Sequence, residues 1–341
     1  MPITKDTRAF GGGKFALELD GKEAGWLSSA EGGYAMSDVI EEKLGPDAIV
    51  RKHIAGVKYE DLTVECGTGM SAAFYDWIRS SLTSTYTRRD GALVALDYSF
   101  KQQSRLTFRN ALIREVAFPA LDAASKDAAK LTVRIAPEFT QHQRQSGNGF
   151  KTSVDVKQKK WSPANFRLKL DGLNVPGVNK IAPIVVTTVV VENATGELRQ
   201  YEQTPLHVEV SDLVVTLAEK DAEALVDWHE DFVIKGNNGA DREKSGTLEF
   251  LTPDLKDVLF TLTLSGLGIY KLRPEKVEAG AEAIRRLTAS MYCEQVALTV
   301  GAGAPAPPPT PPAPEQQEAP NGGVILSGEY PSRFTRLRQT V

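Results

Sequence analysis

The sequence predicts a mainly β protein: two tandem antiparallel β-sandwich or barrel domains, each carrying one short α-helix. Three observations lead there. The chain repeats itself at a fixed offset, both copies place apolar residues at every second position between turn residues, and each copy holds one stretch with apolar residues at three- and four-residue steps. Its 341 residues suffice for about two domains and a tail, and 41% hydrophobic with 25% charged content is that of a folded globular chain.

The offset of 151 residues carries Phe15-Ala-Leu-Glu-Leu-Asp20-Gly21 onto Phe166-Arg-Leu-Lys-Leu-Asp171-Gly172, Asp61-Leu62 onto Asp212-Leu213, and Asp76-Trp77 onto Asp227-Trp228, all without a gap. With the offset lengthened by four residues, Gly91-Ala-Leu-Val matches Gly246-Thr-Leu-Glu. These repeated residues are read as structural positions, shared because both copies need them to fold.

Each copy opens on F-x-L-x-L-D-G, a half-buried strand that ends in an Asp-Gly turn signal. An excursion of about 40 residues follows, and here the copies differ. In copy two, Pro183-Ile-Val-Val-Thr-Thr-Val-Val-Val, Asn193-Ala-Thr-Gly196 and then Glu-Leu-Arg-Gln-Tyr201 read as a long hairpin around a Gly-containing turn. A hairpin this apolar needs a surface to lie against, so Ile184, Val186, Val189, Val191 and Tyr201 are candidates for contact between subunits. The copy-one segment from Tyr34 to Lys58, with Glu41-Glu42-Lys43 and Gly45-Pro46, reads as a more polar version.

Next come a strand at Asp61-Leu62-Thr-Val and Asp212-Leu213-Val-Val-Thr-Leu, and a helix at Met70 to Leu82 and Asp221 to Ile234. The helices present Phe74, Ile78 and Leu82, or Leu225, Trp228 and Phe232, on one face. Strands return at Ala92 to Leu96, Arg105 to Phe108 and Leu131 to Ile135, and in copy two at Thr247 to Leu251, Val258 to Leu264 and Cys293 to Val300.

Composition sets the boundaries. Residues 1–13 are a lead-in, 14–140 the first domain, 141–160 a polar, Gly-interrupted linker, and 161–301 the second domain. Residues 302–320 are an extended Pro- and Ala-rich spacer. Residues 321–341 form a peptide whose Val324, Ile325, Leu326, Tyr330, Arg333, Phe334 and Arg336 are candidates for docking on a partner.

The chemistry is sparse. With 40 Lys+Arg against 44 Asp+Glu the net charge is -4, which lacks the basic footprint of a nucleic-acid binder. Two cysteines, Cys66 and Cys293, form no disulfide framework and no four-Cys zinc site. No apolar run reaches the roughly 20 residues needed to span a bilayer, so no membrane insertion is expected. The cluster Asp227-Trp228-His229-Glu230-Asp231 is read as a solvated helix face over a buried tryptophan rather than a metal site, because copy one has Ile78, Arg79 and Ser80 in place of its last three residues. Gly11-Gly12-Gly13-Lys14 precedes a strand where a phosphate loop would follow one, and neither G-x-S-x-G nor H-E-x-x-H is present. No catalytic residue, cofactor or metal is expected, and the chain reads as a non-enzyme.

The run Phe15-x-Leu-x-Leu-Asp-Gly, Lys58-Tyr-Glu-Asp-Leu-Thr-Val, Phe74-Tyr-Asp-Trp-Ile, Asp90-Gly-Ala-Leu-Val-Ala-Leu-Asp and Phe108-Arg-Asn-Ala resembles the tail-tube proteins of contractile-tailed phages and their injection-system relatives. The likeness covers most of residues 14 to 138, while copy two shares chiefly Leu168 to Gly172, Asp212 to Val215 and Asp227-Trp228. It implies a ring of six tube domains with sheets continuing side by side and a long hairpin from each reaching the neighbouring ring. With two domains per chain, three chains would supply the six. The partners implied are other copies, adjacent tube rings, sheath and baseplate or spike proteins, with DNA or a protein effector passing through the lumen. Assembly in the bacterial cytoplasm and incorporation in a virion tail or injection particle follow from the same likeness. Two other readings stand beside it: a carbohydrate-binding or carbohydrate-cleaving tail-tip β protein, which would present an exposed aromatic platform, and a DNA-contacting tail protein from the portal side, whose binding would fall steeply with salt.

Overall fold

The computed structural model describes residues 13–43, 49–144, 161–194, 200–276 and 284–301. The first half opens with β1 (Lys14–Leu19) and β2 (Lys22–Gly32). Its excursion is built from β3 (Ala35–Met36), β4 (Val39–Glu42), β5 (Arg51–Ile54) and β6 (Lys58–Tyr59). Then come β7 (Leu62–Cys66), α1 (Ala72–Leu82), β8 (Arg89–Leu96), β9 (Gln102–Phe118), β10 (Leu121–Asp122), β11 (Leu131–Ala136) and β12 (Phe139–Arg144). The second half runs β13 (Phe166–Leu170), β14 (Val178–Ile181), β15 (Ile184–Ala194), β16 (Tyr201–Val210), β17 (Leu213–Ala218), α2 (Glu223–His229), β18 (Lys244–Leu251), β19 (Val258–Pro274) and β20 (Arg286–Val300). The architecture is mainly β, all pairings between named strands are antiparallel, and each half has one helix, as the alternation and the helical steps predict.

In the first half the strands close on themselves. β1 pairs β2, β2 pairs β7, β7 pairs β11, β11 pairs β9, β9 pairs β8, and β8 returns to β1. A closed barrel leaves no free edge among these strands. The second half has the same order, β14-β17-β20-β19-β18-β13.

The repeat extends to individual pairings. Leu19 faces Gly91 as Leu170 faces Gly246, and Leu27 faces Cys66 as Val178 faces Leu217. Ile113 faces Ile135 as Ile269 faces Met291. Both long strands, β9 and β19, have 17 residues, and the bulges in β8 and β18 fall at matched sites. The glycines explain part of this identity: a Cβ at Gly91 would meet the Glu18 carbonyl oxygen, and one at Gly246 the Lys169 carbonyl oxygen. Each is needed so that its neighbour strand can approach.

One pairing is not repeated. β1 pairs with β2 along its length, but β13 makes only an isolated bridge from Leu170 to Leu173 on that side. Pro176 has no N–H to donate and fixes its own φ, and β14 resumes only at Val178. The second barrel is therefore open between β13 and β14.

The two halves share one contiguous hydrophobic cluster. Phe118 stacks on Phe250 with centroids 6.1 Å apart, and Trp161 packs edge-on against Phe250 and Phe260 at 5.5 Å each. The sheet itself crosses over as well, because β15 pairs with β9 from Ile184↔Phe118 to Thr187↔Glu115. Gln141 to Arg144, expected to begin the linker, continue β12 and pair with β9, since the polar residues there alternate along an edge strand. The rest of the linker, 145–160, lies outside the described residues, as do the spacer and docking peptide including Val324, Ile325, Leu326, Tyr330, Arg333, Phe334 and Arg336.

Candidate assembly surface

The repeated residues occupy matched places in the two copies. Trp77 and Trp228 are buried under their helices, with Phe74 and Ile78, or Leu225 and Phe232, beside them. The Trp77 indole N–H donates to the Thr87 carbonyl at 2.7 Å, whereas Trp228 has no protein partner for its own. Helix α1 starts on Ser71, whose hydroxyl accepts from the Phe74 amide at 3.4 Å, a cap that Ala222 does not provide for α2. Asp76 pairs with Arg79, and Asp227 stands exposed. Leu62 and Leu213 are buried and Phe15 and Phe166 half-buried. Asp20 pairs with Arg89, the Asp171 amide donates to the Ser245 carbonyl at 2.8 Å, and Gly21 and Gly172 take φ of +76° and +73° in the turns.

Asp61 and Asp212 stand at the start of matched strands with different partners. Burial pushes the Asp61 carboxyl above its usual range against the pull of Arg114, 3.1 Å away, and Arg134. Asp212 instead accepts the Tyr270 hydroxyl at 2.5 Å.

The two excursions meet. Lys58 lies 2.8 Å from Asp38 and 2.9 Å from Glu192, with its ammonium 5.1 Å from the Tyr201 ring centre. The carboxylate hydrogen bonds, Asp38 first, hold its pKa well above the usual lysine value. Near the turn end of the second hairpin, Arg88 bonds the Gln203 carbonyl and lies 2.6 Å from Glu138, whose carboxylate accepts the Gln203 amide at 2.9 Å.

The candidate hairpin residues therefore divide. Ile184 and Val186 are buried where β15 pairs with β9 of this same chain. Val189 and Tyr201 are half-buried and Val191 is exposed at 46%. Sequence reasoning placed the hairpin but not the sheet that receives its base, because nothing local in a Val-rich run names its partner strand.

The surface that sequence reasoning missed is apolar. On β4, β5 and residues 49–50, Val39, Ile40, Ile49, Val50 and Ile54 are exposed beside two charged rungs, Glu41 opposite Lys52 at 2.7 Å and Glu42 opposite Arg51. A second patch, Val226, Val233 and Ile234, lies on α2 and the single π-helical turn that continues it. The signal was present in the helix, as an apolar residue off the main stripe at Val226.

Among the described residues no three His, Cys, Asp or Glu side chains converge as a metal site, and no helix is long and apolar enough to cross a membrane. His207 and Glu209 meet at 3.1 Å on the exposed β16, and Asp231 accepts from the Asn237 amide at 2.7 Å on the far side of α2.

A closed six-strand antiparallel barrel with one helix defines the first half as a β-barrel domain. Residues 12–140, which span the first barrel, match the family model of the T4-like virus tail tube protein gp19. No curated protein matches the sequence. Solved structures similar to the chain include the baseplate of the anti-feeding prophage, 16% identical over 44% of this chain and 98% of that one, with a TM-score of 0.33. The sheath–tube complex of an extracellular contractile injection system is 16% identical over 42% and 100%, with a TM-score of 0.37. Hcp1 from Flavobacterium johnsoniae is 16% identical over 40% and 99%, with a TM-score of 0.24.

Proposed function

We propose that the chain is a non-enzymatic structural subunit of a contractile phage tail or injection system, in which three chains arrange six tube-like barrels as a pseudo-six-fold ring, in the tube or at its junction with the baseplate. The observation that carries this reading is the matched strand register: the second half repeats every barrel pairing but that of β1 with β2 in the half that matches the tail-tube model. In this reading the second half is a tube domain in its own right, and the two halves take alternate places around the ring. The exposed apolar hairpin of β4 and β5 and the distal part of β15–β16 reach the adjacent ring, and sheath, baseplate or spike proteins meet the outer surface. DNA or a protein effector passes through the lumen, and residues 321–341 dock on an adjacent part.

The tryptophans do not favour the carbohydrate reading: Trp77, Trp161 and Trp228 are buried, and Trp26 lies half-buried with Phe100 edge-on at 5.7 Å. Mass photometry with electron-microscope class averages tests the ring directly. A species at three times the 37.1 kDa chain mass, with six lobes around a pore, is expected. A strictly monomeric protein that binds soluble glycans would overturn the reading.

A further inference from the structure

We propose that the outer face of α2, formed by Val226 with Val233 and Ile234 of the following turn, docks on the β9–β12 face of the first barrel of a second copy of this chain. This rests on the ring reading and supplies the contact that would join one chain to the next. Inside the chain that contact already exists once. Tyr75 of α1 is turned away from its own barrel's tryptophan and buried against the second barrel, with its ring 5.4 Å from that of Phe260. Leu82, at the end of α1, lines a groove with Val296 and Ala297 of β20.

The 151-residue offset converts one helix into the other. Phe74, Trp77 and Ser81, which face their own barrel, become Leu225, Trp228 and Phe232, all buried. Tyr75 and Leu82, which face the other barrel, become Val226 and Val233, which are 42% and 40% exposed, and next to them Ile234 is 70% exposed. The residues that copy one hides under copy two are thus still apolar in copy two, with nothing among the described residues over them. A surface that is apolar at those positions and covered in one copy fits the same kind of cover in the other.

The receiving surface follows from the pairings. β9 and β19 match residue for residue, Gln102 with Val258 through Phe118 with Pro274, so Phe260 corresponds to Ser104 and Ser265 to Arg109. Val296 corresponds to Thr140 on β12. Thr140 is buried in its own barrel with its hydroxyl donating to the Gly33 carbonyl at 2.6 Å, and Ser104 is smaller than Phe260, so the contact between chains buries less apolar surface than the contact within one. One charge adds to it: Arg109 is exposed over the Phe139 ring and Asp227 is exposed on α2, while Glu230 pairs with Lys235 and Asp231 accepts from Asn237. The contact is head-to-tail, since one barrel offers a helix and the next a sheet, and such contacts repeat until a ring closes.

The test uses the full-length chain carrying Val226→Cys together with Ser104→Cys, treated with a short thiol-to-thiol crosslinker, while the buried Cys66 and Cys293 stay shielded. Crosslinked species that stop at three chains are expected, with no crosslinked product from either single variant. Three chains by native mass with no crosslink between them would overturn this surface and leave the ring reading standing. Crosslinks that run past three chains would keep the surface and overturn three-fold closure. A monomer whose Cys at position 226 reacts only after removal of residues 302–341 would assign the face to the chain's own C-terminal segment and overturn the proposal. As a second variant, Val233→Asp with Ile234→Asp changes only exposed residues; it should shift the population at least tenfold from three chains to one while the thermal unfolding of the monomer is unchanged. An unchanged three-chain population would count against the face.

Discussion

The tandem Asp-Trp residues are a case in which sequence and structure agree on position and part on chemistry. Both tryptophans are core residues, as the apolar stripe requires, but only Trp77 has a carbonyl to donate to, at Thr87. Replacing Trp77 with Phe removes that hydrogen bond along with some packing, whereas Trp228→Phe removes packing alone. Urea unfolding should therefore show the first variant less stable than the second by about 1 kcal/mol. Equal losses would mean that the Thr87 bond contributes nothing net. The cysteines follow a simpler rule: burial pushes the Cys66 thiol up to about 12 and the Cys293 thiol to about 11, so at pH 8 almost no thiolate is present. A colorimetric thiol reagent should find no rapidly reacting cysteine in the native protein and two after denaturation. Rapid reaction of either thiol in the native state would show that its surroundings open. In the cluster around His229, Asp231 accepts from Asn237, and copy one keeps only its Asp-Trp pair, as Asp76-Trp77.

At the scale of elements, the strands and helices were legible because alternation and helical spacing are local signals, and the repeat fixed which ones correspond. What local signals do not contain is the partner of a strand. The base of the β15–β16 hairpin went to β9 of the other barrel, and the linker's first residues extended β12, because an edge strand's pairing depends on which other edge is nearby in space. The open seam is the clearest example: F-x-L-x-L-D-G is nearly the same in both copies, yet only one has a neighbour on both sides. Asp171 and Asn165 bond β18, so the alternate residues Phe166 and Leu168 turn their amides toward the seam. Their equivalents Phe15 and Leu17 face β2. In the isolated subunit, native-state hydrogen exchange should be at least tenfold faster at Phe166 and Leu168 than at Phe15 and Leu17. Equal protection would mean that another segment or chain pairs with this edge, and Pro176→Val should then leave the exchange unchanged.

For the whole molecule, two-fold repetition at the level of register does not imply two independent folding units. The boundary read from composition separates residues by charge and glycine content, but the aromatic contacts from Phe118 and Tyr75 to Phe250 and Phe260 are non-local, and no window of sequence displays them. They join the cores, the β9–β15 pairing joins the sheets, and Arg88 and Lys58 join the excursions. Opening one barrel alone would expose Tyr75, Phe118, Trp161 and the apolar base of the hairpin at once, roughly 1.5–3 kcal/mol for each large side chain brought into water. That cost couples the halves, so thermal unfolding of the monomeric chain should be one transition by tryptophan fluorescence and by far-UV circular dichroism, with calorimetric and van't Hoff enthalpies that agree. Tyr75→Ala should lower the midpoint of that single transition by several degrees, since truncating a buried aromatic typically costs about 3–5 kcal/mol. Two resolved transitions, with only the second-half one shifted by Tyr75→Ala, would instead make the barrels separate domains that merely touch. In that case the contact inside the chain would be no stronger than the one proposed between chains, and a six-barrel ring would be held by six similar contacts rather than by three strong and three weak ones.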